Sequence, residues 1–142
     1  MIRDADNRIP AIRLRDVLLV PLQGEIGDET AAQLSDDVLR LVQSSGVRGL
    51  VLDITGLWMV DSHLCALLSR LAAAASLMGA RTVLCGMKSD IALTLQTMGL
   101  DLAAATALTL EDALAMLGFA VVHAGVDEET EEPFDEDEEE MR

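Results

Sequence analysis

The sequence predicts an α/β domain, with a mostly parallel mixed sheet that opens with an antiparallel hairpin and has helices packed on it. The first reason is that short, β-branched apolar runs alternate with longer segments whose apolar residues recur every three or four positions. The second is that glycines mark most of the junctions between these segments. The third is that apolar residues make up 51 % of a chain of 142 residues, enough for one domain with a sizeable core.

The first elements are two β-like stretches at 11–14 and 17–22, separated by the short polar pair Arg15-Asp16, which predicts an antiparallel hairpin. After a glycine-punctuated loop, Asp28 is the expected N-cap of the first helix, with Glu29 in its first turn. Helical spacing then continues to Gly46 through Ala31, Leu34, Val38, Leu41 and Val42.

The middle of the chain predicts a second strand–helix unit. Residues 49–54, "GLVLDI", form a continuous apolar run, as expected for a strand covered on both faces. We place a loop at 54–62, at the carboxyl end of this strand, where such sheets carry their functional surface. A helix begins near Ser62 and ends at Gly79, with an apolar stripe of Leu64, Leu67, Leu68, Leu71, Ala75 and Met78.

The last third of the body repeats the alternation. Residues 81–86 predict a buried strand, and Ser89 is a candidate cap for a third helix that stops at Gly99. Residues 100–108 give a weak edge-strand pattern. Thr109 and Asp112 resemble a capping box for a last helix over 110–117, and residues 119–126 are left unassigned.

The charge pattern separates a body from a tail. The net charge is −15, of which residues 127–142, with eleven acids and one arginine, carry −10. Such a segment is predicted to be disordered, so we divide the chain into an N-terminal segment 1–8, a domain 9–125 and an acidic tail 126–142. Nucleic acid is not an expected partner, because the one lysine and the scattered arginines form no basic platform.

The expected compartment is the cytoplasm. No apolar run reaches the roughly 18 residues that span a bilayer, so no membrane association is expected. The N-terminal residues contain no apolar core of a signal peptide. Cys65 and Cys85 have neither metal-ligand spacing nor a disulfide framework, and are predicted to be free thiols buried as small apolar residues.

Residue patterns for catalysis are lacking, so no catalytic residue, cofactor site or metal site is assigned. "GEIG" and "GMKSD" lack the spacing of phosphate-binding loops. Ser62 has no flanking glycines, and the adjacent His63 is poorly placed to act as its base. Asp53 and Asp61 could form an acidic phosphoacceptor pocket only with further acids after the first strand, where the chain has "VPLQG". The chain is therefore expected to be a binding protein and not an enzyme.

The junction Asp61-Ser62 is the candidate functional site. Either side-chain oxygen can cap the helix that follows. A serine at a helix N-terminus is also a favourable place for a phosphate, whose charge meets free N–H groups and the positive end of the helix dipole. Residue chemistry leaves both interpretations open.

The stretch "VLDITGLWMVDSHLCALLSRL" resembles the STAS, or anti-sigma-factor-antagonist, family, in which a strand ends in Asp, a short apolar loop follows and Asp-Ser or Asp-Thr opens a helix. The segments "IPAIRLRDVLLVPLQGEIGDETAAQL", "SLMGARTVLCGMKSDIALTLQTMGLDL" and "TLEDAL" extend the resemblance over about residues 9–117, most closely to the RsbS-type stressosome scaffolds. The resemblance implies the STAS fold.

The resemblance also implies roles. Ser62 stands at the phosphorylatable position and Asp61 at that of its acidic neighbour. Thr94 falls where the sensor-bearing relatives have a second phosphorylatable threonine; scaffold subunits are usually not modified there, so Thr94 is the secondary candidate. The implied partners are a switch serine/threonine kinase, a sensor-bearing STAS relative that shares a large assembly, and a phosphatase. Trp58 departs from the family pattern; it either enlarges the partner contact or folds onto the helix. With Met59, Asp61 and His63 it forms the expected partner surface.

One alternative function stays open within the same family. A STAS module can bind a nucleotide or another small ligand and act as its sensor, although the sequence shows no phosphate loop for such a ligand.

Overall fold

The structure, a computed structural model, describes residues 9–98 and 104–118. Along these residues the strands are β1 Ile12–Leu14, β2 Val17–Gly24, β3 Gly49–Leu57, β4 Arg81–Cys85 and β5 Ala105–Ala107. The helices are α1 Asp28–Ser45, α2 Ser62–Leu77, α3 Ser89–Met98 and α4 Leu110–Met116. The predicted N-terminal segment, the helix stop at Gly99, the unassigned residues 119–126 and the acidic tail lie outside the described residues.

The strands form one sheet in the order β1-β2-β3-β4-β5. β1 pairs antiparallel with β2, and the later neighbours pair parallel, which confirms the predicted mixed sheet and its opening hairpin. Because β2 to β5 all run the same way, their first residues share one side of the sheet, the strand-start edge. Their last residues share the opposite side, the strand-end edge.

Most of the core lies between one face of the sheet and α1, α2 and α3. β3 shows why the strand sequence is continuously apolar: Leu50, Leu52 and Ile54 point into this core, whereas Val51 points into a second cluster on the other face. The second cluster is closed by α4, through Ala113 and Leu114. β3 is therefore covered on both faces, as its sequence predicts.

Three predicted boundaries are wrong. β3 does not stop where the predicted 54–62 loop begins but continues to Leu57, because it keeps pairing with β2 beyond a register shift between Pro21 and Gln23. The N-cap of α1 is Gly27, and Asp28 is the first helical residue. Ser89 likewise lies inside α3, whose first backbone bond runs from the Ala92 amide to the Lys88 carbonyl.

Both cysteines are buried free thiols, as predicted. Burial raises the pKa of the Cys65 thiol, and the nearby Asp61 carboxylate raises it further. Burial likewise raises the pKa of Cys85 from 9.0 to about 12, with a further contribution from the charge of Asp53 and a hydrogen bond to its carboxylate. Neither thiol is in a state suited to nucleophilic chemistry.

The raised pKa of Cys85 predicts a loss of stability in alkali. Above pH 9.0 the thiol ionises in the unfolded chain, while the folded chain keeps its proton until about pH 12. The unfolded state then binds fewer protons, so the free energy of unfolding falls as pH rises through this window, by up to about 1.4 kcal/mol per pH unit. Urea denaturation under reducing conditions at about pH 8, 9 and 10 measures how steeply the free energy of unfolding falls with pH. Cys85→Ala should flatten the slope, and an equal slope in both proteins would contradict the prediction.

Candidate functional site

Four residues at the strand-end edge, Trp58 to Asp61, link β3 to α2. The Trp58 amide donates to the Gly24 carbonyl at 3.0 Å, which fastens the link to the end of β2. Leu57 and Val60 are buried on either side, whereas the side chains between them, Trp58 and Met59, are 78 % and 55 % exposed. Buried anchors thus hold two large apolar side chains in solvent, and Trp58 does not fold onto the helix.

Asp61 is the N-cap of α2. Its Oδ1 accepts from the Leu64 amide at 2.8 Å, and its carbonyl accepts from the Cys65 amide at 3.0 Å. The residue is extended, with φ of −95° and ψ of 177°, as a cap requires. Of the two side-chain oxygens that could cap α2, those of Asp61 and Ser62, it is therefore the Asp61 carboxylate that does so.

Ser62 is left uncommitted by this arrangement. It is the first residue of α2, it is exposed, and within the described residues its hydroxyl makes no hydrogen bond. In the same part of the chain the amides of Ser62 and His63 have no acceptor, as is usual at the start of a helix. A group on the Ser62 oxygen would sit at the positive end of the α2 dipole.

His63 connects this segment to α1. Its Nε2 lies 3.5 Å from Oδ1 of Asp28, and both side chains are mostly exposed, at 51 % and 81 %. A solvent-exposed pair of this kind contributes little to stability. The contact shows that the first turn of α1 lies beside the first turn of α2.

The strand-end edge is strongly acidic. Its carboxylates come from the loop after β2, the first turns of α1, α3 and α4, the second half of β3 and the α2 cap: Glu25, Asp28, Glu29, Asp53, Asp61, Asp90, Glu111 and Asp112. The basic side chains nearby among the described residues are Lys88 and, when protonated, His63. An additional negative charge on Ser62 would be favoured by the helix start but opposed by these carboxylates.

Asp53 is used within the fold. Its Oδ1 accepts from the Thr55 amide at 3.0 Å and from the Thr55 hydroxyl at 2.6 Å. Gly86, just after β4, packs against the same atoms with φ of 85°. Asp53 and Thr55 of β3 thus lie directly against the residue that follows β4.

Thr94 lies apart from the Trp58–His63 segment, in the second turn of α3. Its hydroxyl donates to the Asp90 carbonyl at 2.9 Å, a bond inside the helix, and the residue is half-buried. Thr94 is thus less available for modification than Ser62.

Over the ranges 9–98 and 104–118, no cluster of three or more His, Cys, Asp or Glu side chains could hold a metal ion. In the same ranges no helix is long and apolar enough to cross a bilayer. The groups that this edge presents are the exposed Ser62 hydroxyl, the exposed side chains of Trp58 and Met59, and several carboxylates.

Sequence reasoning missed two members of this surface. Asp28 is not a cap but the neighbour of His63, and Gly86 packs against the Asp53–Thr55 pair. The signal for Asp28 was present: α1 and α2 both follow parallel strands, so their first turns must meet at one edge. Gly86 follows a buried strand in the same way, but its close approach to Thr55 has no sequence signal.

Comparison with known proteins places this geometry in a family. The STAS domain profile matches residues 8–113. The chain is similar to RsbS of Moorella thermoacetica, solved as a serine-to-glutamate variant, with 35 % identity, a TM-score of 0.70 and coverage of 78 % of this chain and 95 % of that one. It is also similar to a chain in the molecular architecture of the stressosome, a signal integration and transduction hub, with 34 % identity, a TM-score of 0.65 and coverage of 77 % and 96 %.

Among curated proteins, the chain is 31 % identical over 104 residues to the RsbT co-antagonist protein RsbRD of Bacillus subtilis, covering 72 % of this chain and 37 % of that protein. A second co-antagonist of that organism, RsbRB, is 31 % identical over 93 residues, covering 65 % and 34 %. The chain thus spans about a third of the length of these curated relatives.

These findings confirm the resemblance drawn from the strand–loop–helix motif around Ser62, and the mixed-sheet fold agrees with the solved neighbours. At 31–35 % identity the relationship reaches RsbS, a chain of the stressosome and the RsbT co-antagonist proteins. The profile covers well over half of the chain. The chain belongs to the STAS domain family.

Proposed function

We propose that this protein is a phosphorylatable scaffold of a stressosome-type signalling complex, which holds a switch serine/threonine kinase and releases it when Ser62 is phosphorylated. The proposal rests on the separate roles of Asp61 and Ser62 at the start of α2. Asp61 caps the helix, so the exposed Ser62 hydroxyl has no structural duty within the described residues and stands beside exposed Trp58 and Met59.

The similar proteins supply the cellular setting. Two curated relatives are named as co-antagonists of RsbT, and a solved neighbour belongs to the stressosome. By analogy, this chain shares a large cytoplasmic assembly with a sensor-bearing STAS relative, and a phosphatase resets it. Its work is binding and not catalysis.

Release of the kinase follows from charge. The kinase covers Trp58, Met59, Asp61 and His63, and excludes water from the apolar pair. Phosphorylation adds a charge of about −1.5 to −2 to a surface that already holds the carboxylates of Asp28 and Asp61. Burying this charge against a fitted partner weakens binding by about 1–3 kcal/mol. The helix start, in contrast, tolerates the phosphate, so the fold itself is preserved.

The direct test is calorimetric titration of the chain with its switch kinase, before and after phosphorylation. The affinity of the kinase should fall by about 5–150-fold on phosphorylation, the equivalent of the free-energy change above. Trp58→Ala should also weaken binding of the unmodified chain.

Leu77→Ala provides the matched control for that variant, because Leu77 is 91 % exposed at the last residue of α2, far from Ser62. It should leave the affinity unchanged. Equal affinity of the kinase for the phosphorylated and unphosphorylated chains would refute the proposed release.

A further inference from the structure

The strand-start edge has the opposite charge to the edge that carries Ser62. Four exposed arginines lie there, which we call the arginine edge: Arg13, Arg15, Arg48 and Arg81. They are four of the seven lysine and arginine residues in the described part of the chain. The acidic residue at this edge is Asp16. The domain is therefore electrically polarised along its strands.

Backbone pairing makes the arginine edge continuous. The Arg81 amide donates to the Arg48 carbonyl at 3.0 Å, and the Arg48 amide donates to the Asp16 carbonyl at 2.7 Å. Arg13 joins through its Nε, which donates to the Arg15 carbonyl at 2.9 Å. Neighbouring strands are about 4.8 Å apart, so the four arginines span only some 15 Å.

The described chain ends at this same edge. α4 runs from the strand-end edge to the strand-start edge, and its last carbonyl, that of Met116, accepts from the Arg81 guanidinium at 3.1 Å. Leu117 lies over Gly49, where an added Cβ would meet its Cδ1 at 2.8 Å. Residue 118 is thus placed beside the arginines.

Beyond this point the sequence supplies the complementary charge. Nine residues after Gly118 begins the segment 127–142, with eleven acids and one arginine. A connection of nine residues reaches up to about 30 Å, so the segment has ample length to return across the arginine edge. It could also reach the strand-end edge, but the carboxylates there repel it. The Debye length of about 8 Å in physiological salt restricts the attraction to charges that come close.

We propose that the acidic segment 127–142 docks along the arginine edge of its own chain. The contact is electrostatic and buries little apolar surface, since the segment holds few apolar residues. It occupies the one basic surface on the described residues, at the end of the domain opposite Ser62, and so keeps that surface from other polyanions.

Paramagnetic relaxation in the chain of residues 1–142 tests the docking. A nitroxide placed through Thr130→Cys leaves every acid of the segment intact, and the native cysteines are buried. At about 50 mM salt the label should broaden the amide signals of Arg13, Arg15, Arg48 and Arg81, and spare those of Ser62 and His63. At about 500 mM salt the broadening should largely disappear.

Charge reversal identifies the surface. Arg13→Glu combined with Arg48→Glu should remove the broadening, whereas Arg70→Glu, an exposed arginine within α2, should leave it in place. Absent broadening, or equal broadening at both edges, would overturn the proposal. So would broadening that appears only when labelled and isotope-enriched chains are mixed, because the contact would then join two copies.

Discussion

Ser62→Ala is expected to abolish phosphate incorporation by the switch kinase while leaving the free energy of unfolding nearly unchanged. The Ser62 hydroxyl is the proposed site of phosphate attachment, but it makes no hydrogen bond within the described residues. Asp61→Ala should behave in the opposite way in the stability assay, with a loss of about 1 kcal/mol, because the Leu64 amide loses its cap. Phosphopeptide mass spectrometry and urea denaturation of the three proteins measure the two properties.

Ser62→Asp extends the same comparison to the binding step. A carboxylate at the first position of α2 is favoured by the helix dipole by about 0.3–1 kcal/mol, so the variant should fold at least as stably as the parent. Its affinity for the kinase should nevertheless fall, though less than with a phosphate, which carries more charge. If Ser62→Asp bound the kinase as tightly as the parent, and the parent carried no phosphate at Ser62, the junction would be only a well-capped helix start.

Gly86→Ala should be the most damaging single-methyl change near the site. Gly86 has φ of 85°, and an added Cβ would collide with the Thr55 hydroxyl and lie 2.8 Å from the Thr55 amide and 3.0 Å from Oδ1 of Asp53. All three of these atoms belong to the Asp53–Thr55 hydrogen bonds, which would have to break or shift. We expect the free energy of unfolding to fall by roughly 3 kcal/mol or more, measured by urea denaturation.

Gly79→Ala is the matched control, because Gly79 has a similar φ of 91° but nothing within 4 Å of the added Cβ. It should cost only the left-handed strain of a non-glycine residue, about 1–2 kcal/mol. If Gly86→Ala lowered the free energy of unfolding no more than Gly79→Ala does, Asp53 and Thr55 would be shown to move aside without loss of stability.

The elements that could be predicted are those whose own residues decide them. α2 has an uninterrupted apolar stripe, and the N-cap of α4 is Thr109, whose hydroxyl accepts from the Asp112 amide at 3.1 Å. Both depend on neighbours three or four positions away, so the sequence is sufficient.

The features that escaped prediction depend on distant partners. "TGL" after Ile54 has the composition of a loop, yet it extends β3 because Gly56 and Leu57 pair with Gln23 and Gly24. The choice between Asp61 and Ser62 as the cap could not be made either, since both oxygens suit the task chemically. The meeting of His63 with Asp28 joins residues 35 positions apart and required the assembled sheet.

The exposed indole of Trp58 gives the protein a built-in optical reporter. Trp58 is the one tryptophan of a chain that has no tyrosine, so the ultraviolet emission of the whole protein originates almost entirely from the proposed contact surface. With 78 % of the residue in water, its emission is that of a hydrated indole. A partner that covers Trp58 would shift this emission to shorter wavelength, so arrival and departure of such a partner can be followed in real time without attaching a dye.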